Sequence, residues 1–229
     1  MKKIVAYGTS FMDFLVGLDH LPTKKDEGAQ IRQTSWQGGG KVASALAAVG
    51  QLGGIASMTG MIGADTYGDF LLDDFHYYHI DTSHMIQDGN NAFSVVLSDP
   101  VTKGRNILGR PSTSRAYTLE DIDPAFIASH DILHLERADE ISHRLADIIH
   151  EAGGLVAFDG DGYSDATQAM LPKIDIFIGS EFYYNTLFGE GASADSSKYE
   201  QNLASVRALG PKITVFTFGD KGSAVLSEE

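Results

Sequence analysis

Three glycines, Gly38, Gly39 and Gly40, run directly into Lys41 and then into a proline-free stretch of alanine and other small residues ending at Leu52-Gly53. Glycine reaches φ > 0 and lets another molecule approach the main chain. Alanine is the best helix former. The pattern predicts a glycine turn feeding a closely packed helix over 41–52. The first N–H groups of such a helix lack intrahelical partners and carry partial positive charge, so polar or anionic ligand atoms bind there readily. A single glycine would mark only a loop entering a buried helix; three followed by a lysine favour a binding turn. Asp13 is the second group that could do chemistry. It is a lone carboxylate within the apolar stretch Phe11 to Leu18, just after the apolar run 3–8. That run reads as a buried first strand, and open α/β sheets bind ligands beyond the carboxyl ends of their strands. Asp13 reads either as a turn or cap residue or as an acceptor for ligand hydroxyls, and spacing leaves the two level.

Other reactive types carry less. His76 and His79, separated by two tyrosines, lack a third ligand at metal-site spacing, and read as exposed residues at a helix end. Arg105, Arg110 and Arg115 could meet a phosphate, but decoration of an exposed loop is the better reading. Asp65 reads as the cap of a helix over 66–76.

Composition sets the outer limits. A formal net charge of −14 argues against general nucleic-acid binding and against binding to anionic membranes. It leaves room for an anionic ligand held by clustered backbone donors. The absence of cysteine excludes disulfides and thiolate metal sites and is compatible with a reducing cytoplasm. The N-terminal apolar run is too short for a signal peptide, and no run reaches transmembrane length. The reading is a soluble cytoplasmic protein of 229 residues, long enough for one sizeable domain.

The elements that must position these groups follow. Residues 14–37, broken by Pro22 and Gly28, read as strands that leave the main sheet and return at Gly38. Residues 55–62 read as a second strand. Residues 92–98 and 105–108, joined by the turn Asp99 to Gly104, read as a hairpin that groups with 14–37 as a small β layer. From Thr118 the pattern is regular. Thr118 to Asp121 resembles a capping box. Strands are expected at 132–135, 155–159, 174–178 and 213–218, with helices around 141–149, 164–171, from 181, and 198–209. Residues 189–197 read as a flexible loop by composition. Gly219 and Gly222 frame a tight turn, and Ser223 to Leu226 begins another strand, which hints at a domain cut short. This alternation predicts a parallel sheet with right-handed crossovers. No G-x-G-x-x-G follows the first strand, which weakens a dinucleotide enzyme.

Taken in order, these stretches resemble the ribokinase-like, or PfkB, family of carbohydrate and nucleoside kinases over residues 3–229. Gly8 to Asp13 looks like the family's first strand and sugar-binding aspartate. Gly39-Gly40-Lys41-Val42-Ala43-Ser44 through Gly53 looks like its first signature, whose glycines contact the sugar. Gly63, Asp65 and Gly68 match the segment after the second strand. Glu136 stands where some members place a sugar-contacting glutamate. Thr217-Phe218-Gly219-Asp220-Lys221-Gly222 looks like the T-x-G-x-x-G turn along the nucleotide phosphates.

The resemblance implies an α/β fold with a central, mostly parallel sheet flanked by helices and a small β-sheet lid. It implies one domain over 1–229, with lid segments near 14–37 and 92–110. It implies transfer of a phosphoryl group from ATP, with Mg2+, to a hydroxyl of a sugar, polyol or nucleoside. The implied substrate contacts are Asp13, Gly39, Gly40, Lys41, Ser44 and Glu136. The implied nucleotide contacts are Ser180, Glu181, Thr217, Gly219 and Gly222. A homodimer through the lid is a further implication; a metal site is not assigned.

The sequence also departs from the family. Ser44 replaces the usual Asn, and Ser180-Glu181-Phe182-Tyr183 stands where N-x-x-E is common. The second signature, G-A-G-D, which supplies the anion hole and the general-base aspartate, finds no match in 1–229. No catalytic residue is therefore assigned. Without those groups phosphoryl transfer should fall on the order of 10³-fold or more, so the 229-residue chain is expected to be inactive by itself. The alternative is a non-catalytic sugar-binding remnant of a kinase.

Overall fold

Uninterrupted apolar runs become strands buried on both faces, as a helix-covered parallel sheet requires. The computed structural model describes residues 1–102 and 104–227; Lys103, in the expected turn, and Glu228-Glu229 lie outside them. The large sheet takes β1 (Lys3–Tyr7), β4 (Ile55–Ile62), β5 (Ile80–Gln87), β8 (Ile132–Leu135), β9 (Leu155–Gly160), β10 (Ile176–Gly179), β11 (Ile213–Thr217) and β12 (Ser223–Ser227). Its order is β12-β11-β10-β9-β8-β1-β4-β5. Its pairings are parallel except that of β12 with β11.

The second sheet has the order β3-β2-β6-β7, from β2 (Phe11–Leu18), β3 (Ile31–Gly39), β6 (Ala92–Ser98) and β7 (Arg105–Arg110). The helices are α1 (Lys41–Gln51), α2 (Thr66–Tyr77), α3 (Pro124–Ala128), α4 (Glu140–Glu151), α5 (Asp165–Met170), α6 (Glu181–Phe188) and α7 (Tyr199–Arg207). They flank the large sheet, and α4 buries Ile141, Leu145, Ile148 and Ile149 as its spacing predicts. No helix among the described residues is long and apolar enough to cross a membrane.

Local signals explain the element ends. Asp65 caps α2 by accepting from Gly68 N at 2.9 Å, and Gly53 at φ 78 follows α1. Thr118 and Asp121 do form a capping box, but over a single turn, Leu119–Asp121.

Five expectations change. Asp13 lies inside a strand, not in a loop. Between β2 and β3, residues 19–30 form a loop pinned by Asp19, whose Oδ1 accepts from His20 N and Gln30 N, both at 2.9 Å. Edge strand β5 was invisible because its sequence, IDTSHMIQ, alternates too weakly to mark one buried face. The short helix α3 was also unforeseen, although Asp123 before Pro124 is a cap-and-N1 pair. Residues 189–197 are ordered: Ser193 is buried, its N–H donates to Asn185 Oδ1 at 2.9 Å and its hydroxyl to Glu181 Oε1 at 2.5 Å.

Candidate functional site

Register on the small sheet decides which side chains converge. Asp13 on β2 lies opposite Gln37 on β3 and Ser94 on β6. Alternation then puts Phe11, Asp13 and Leu15 on one face with Ser94 and Val96. These residues, with Gly39, Gly40, Lys41 and Ser44, line a cleft of about 430 Å³. The sheet forms one wall and the start of α1 the other. Ser94 Oγ donates to Asp13 Oδ1 at 2.5 Å, which orients the carboxylate and leaves its other oxygen to accept. That oxygen lies against Gly39 so closely that any Cβ there would overlap it. Gly40 is held at φ 107, and a Cβ on it would strike the Thr9 carbonyl. It is also the N-cap of α1 and offers no side-chain acceptor, so the first N–H groups of the helix remain open for ligand oxygens.

Glu136 stands apart from this wall. Its Oε1 accepts from Thr9 N at 2.6 Å, and its side chain is 8% exposed. It fills the space that Gly8 leaves, where an added Cβ would come within 2.7 Å of Oε1. Arg137 approaches the same oxygen at 3.3 Å and hydrogen-bonds Thr9 Oγ1. Glu136 thus fixes the bend between β1 and β2, two residues from the cleft.

Beyond Lys41, the carboxyl ends of β8 and β9 carry His134 and Asp159, neither foreseen from sequence. Burial pushes the Asp159 carboxyl up, against the pull of Lys41 and His134. Burial pushes His134 down, partly offset by Asp159. Lys41 is therefore a cation that both groups feel. Their signal was weak because each sits inside an apolar run that reads simply as a buried strand.

The second group of candidates lies on the opposite half of the sheet. Ser180 caps α6 by accepting from Tyr183 N at 3.1 Å, and its hydroxyl donates to the Asp161 carbonyl. Glu181 Oε1 receives Ser193 Oγ at 2.5 Å and lies 3.1 Å from Lys221 Nζ. Those two partners hold its carboxyl below the usual range, the Ser193 bond foremost. Thr217 ends β11, its hydroxyl 3.5 Å from the Gly179 carbonyl. Residues 218–222 close a turn through Phe218 N to Gly222 O at 2.8 Å. The faces of Gly219 and Gly222 look onto open space. So the structure groups Ser180, Glu181, Thr217 and the turn, but apart from the Asp13 cleft.

The remaining reactive residues disperse. Arg105 lines the cleft, Arg110 lies 5.8 Å over the Tyr67 ring, and Arg115 forms a two-pronged pair with Asp121 at 2.6 and 2.8 Å. His76 and His79 are exposed at the end of α2. Among the described residues no group of three or more His, Asp or Glu could hold a metal ion.

Comparison with known proteins places this arrangement. The pfkB family of carbohydrate kinases matches residues 1–229. A nucleoside kinase of Methanothermobacter thermautotrophicus is 25% identical over 236 residues, covering 100% of this chain and 73% of that protein. Among solved structures, a ribokinase from Thermotoga maritima superposes with TM-score 0.80 at 24% identity, covering 100% of this chain and 76% of that one. An Arabidopsis thaliana ribokinase complexed with ribose and ATP superposes with TM-score 0.80 at 20% identity, covering 99% of this chain and 75% of that one. The chain belongs to the pfkB family of carbohydrate kinases, and its central sheet with a second small sheet is the ribokinase-like fold.

Proposed function

We propose that this protein serves ATP-dependent phosphorylation of a hydroxyl on a sugar, or on a related polyol or nucleoside, in the cytoplasm. The observation that carries the reading is the Asp13 carboxylate. It is oriented by Ser94, backed by Gly39, and set in a cleft between the small sheet and the N-terminus of α1. An ionised carboxylate accepts from vicinal hydroxyls in charge-assisted hydrogen bonds. The open N–H groups of α1 and Lys41 receive the ligand's oxygens, with Ser44 contributing a hydroxyl. The small sheet acts as a lid that excludes water, which strengthens every polar contact beneath it. Glu136 serves as a positioning residue through Thr9, rather than as a direct sugar contact.

ATP, carried with Mg2+, supplies the phosphoryl group. The exposed part of the turn, residues 219–222, fits a polyphosphate, because Gly219 and Gly222 present open backbone. In this reading Ser180, Glu181, Thr217, Gly219 and Gly222 hold the nucleotide. Mg2+ takes its ligands chiefly from phosphates and water. The lid also carries Ile31, Trp36 and Leu108 exposed, and a second copy pairing through it would cover them; sedimenting mass at rising concentration, read by analytical ultracentrifugation, tests this.

Binding without turnover by the polypeptide 1–229 is a second reading. It is favoured by Glu181, which is already committed to Ser193 and Lys221. One calorimetric panel separates the two. Sugars and nucleosides are titrated first, then ATP with Mg2+, and product is followed with a coupled assay. Sugar binding with ATP binding supports the kinase reading; sugar binding with no ATP binding supports the remnant; no binding by any polyol removes both. Useful phosphorylation by 1–229 would overturn the expectation that this stretch alone is inactive.

A further inference from the structure

The glycines before Lys41 are flanked by two carboxylates, Asp13 and Asp74. β3 is an edge strand of the small sheet. Gly39 lies against Asp13 on the cleft face. Gly38, the adjacent residue, lies against Asp74 of α2 on the other face, so closely that a Cβ would overlap Asp74 Oδ2. A second hollow of about 220 Å³ opens there, with Asp74 in its wall between α1 and α2. The two hollows meet at Gln37, Gly38, Gly39 and Ser44. Because β3 has no neighbour beyond it and carries no side chain at 38 or 39, the ridge between the hollows is bare backbone.

The carboxylate of Asp74 does not tie α2 to a neighbouring element among the described residues. Among the described residues its carboxylate has no hydrogen-bond donor and no cation, although it is half-buried. Burial alone acts on it, and raises its pKa. A carboxylate desolvated without a partner is unfavourable, and a donor brought by a ligand would relieve that cost.

We propose that the hollow walled by Asp74 is a subsite for an amino group on the far end of the substrate, whose hydroxyls sit on Asp13. This deepens the kinase reading and rests on it. The ligand class is a polyol bearing an N–H donor, long enough to cross the Gly38-Gly39 edge. A nucleoside with an exocyclic amino group and an amino sugar share that chemistry.

Calorimetric dissociation constants for two matched pairs separate these sources: adenosine against purine riboside, which lacks the amino group, and 6-amino-6-deoxy-D-glucose against D-glucose. In the native sequence, the amine-bearing member of at least one pair should bind about tenfold more tightly, as expected for a hydrogen bond to a charged group. A preference in the first pair identifies the base-borne amine, and in the second the amino sugar. Asp74→Asn should bring that ratio close to one. Gly38→Ala, which displaces the carboxylate without removing it, should do the same; melting temperatures without ligand check that both variants fold. Equal binding within both pairs, or a preference that survives Asp74→Asn, overturns the subsite while leaving the kinase reading intact. Failure of all four compounds and of the wider polyol panel to bind overturns the kinase reading, and the subsite with it.

Discussion

The two halves of the large sheet are built from different materials. Around β1 and β4 the core is mostly aliphatic and rich in small residues, with Ala6, Val42, Ala43, Leu46, Ala56 and Met58, and Phe75 of α2 as a buried ring. Around β9 to β11 it is aromatic: Phe158, Phe177, Tyr183, Tyr184, Phe216 and Phe218. Tyr184 meets Phe216 and Phe218 edge-on at 5.1 Å, and Tyr199 stacks on Phe218 at 4.4 Å. Small residues let backbone approach backbone, and in that half glycines meet carboxylates and carbonyls directly. In the aromatic half, large rings anchor the strands and the polar candidates are tied to one another. Burial pushes the Tyr183 phenol up to about 12, and Gln168 donates to its oxygen at 2.8 Å, so this ring is structural. The first half presents a carboxylate ready to accept; the second presents a pre-formed turn on a rigid base.

If that contrast is right, the largest stability losses come from the aromatic half. Phe177→Ala, at a ring that touches Phe158, Tyr183 and Phe216, should cost about 4 kcal/mol in chemical denaturation. Leu46→Ala in the small-residue half should cost less, about 3 kcal/mol; the reverse order would break the contrast. Gly40→Ala comes next. It combines a strained φ with overlap on the Thr9 carbonyl, about 2 kcal/mol by the cost of such backbone strain, and it should weaken ligand binding as well.

Much of this was legible in the sequence. The glycine turn, α1, β4, α2 and the β–α alternation after 118 rest on strong local patterns, and the structure reproduces them. What escaped was non-local. Ser94 becomes a partner of Asp13 only through the parallel register of β2 and β6 across 81 positions. Glu136 read as a sugar contact by resemblance. Its commitment to Thr9 N comes from the approach of β8 to the end of β1, which no spacing encodes. Asp74 carried no signal in the sequence; its place beside Gly38 depends on the approach of β3 to α2.

A pH series tests a buried tie beneath the aromatic half. Asp175 joins β9 to the start of β11: its Oδ2 lies 2.8 Å from His150 Nε2 and 2.9 Å from Val156 N, and its Oδ1 2.8 Å from Lys212 Nζ. Burial opposes its charge, but the bonds from Lys212, Val156 and His150 outweigh that and hold the carboxyl below its usual range. A carboxylate with a lowered folded pKa stabilises the fold fully above its unfolded value, near 4, and the gain is lost as pH falls through the folded value. Acid melting curves of Asp175→Asn should therefore be flatter than those of the native sequence below about pH 4. The smallest effect is expected for Lys221→Ala. Its contact with Glu181 is exposed, so melting temperature should barely move, while ATP binding weakens if the turn holds phosphates.

The most direct test is calorimetry of the Asp13→Ala chain with whichever sugar or nucleoside the native sequence binds. The carboxylate is the centre of the cleft and carries little of the core, so affinity should fall about 10- to 100-fold, the loss of a charged hydrogen bond or two, with melting temperature nearly unchanged in the absence of ligand. Unaltered affinity would contradict the account and remove Asp13 from the site.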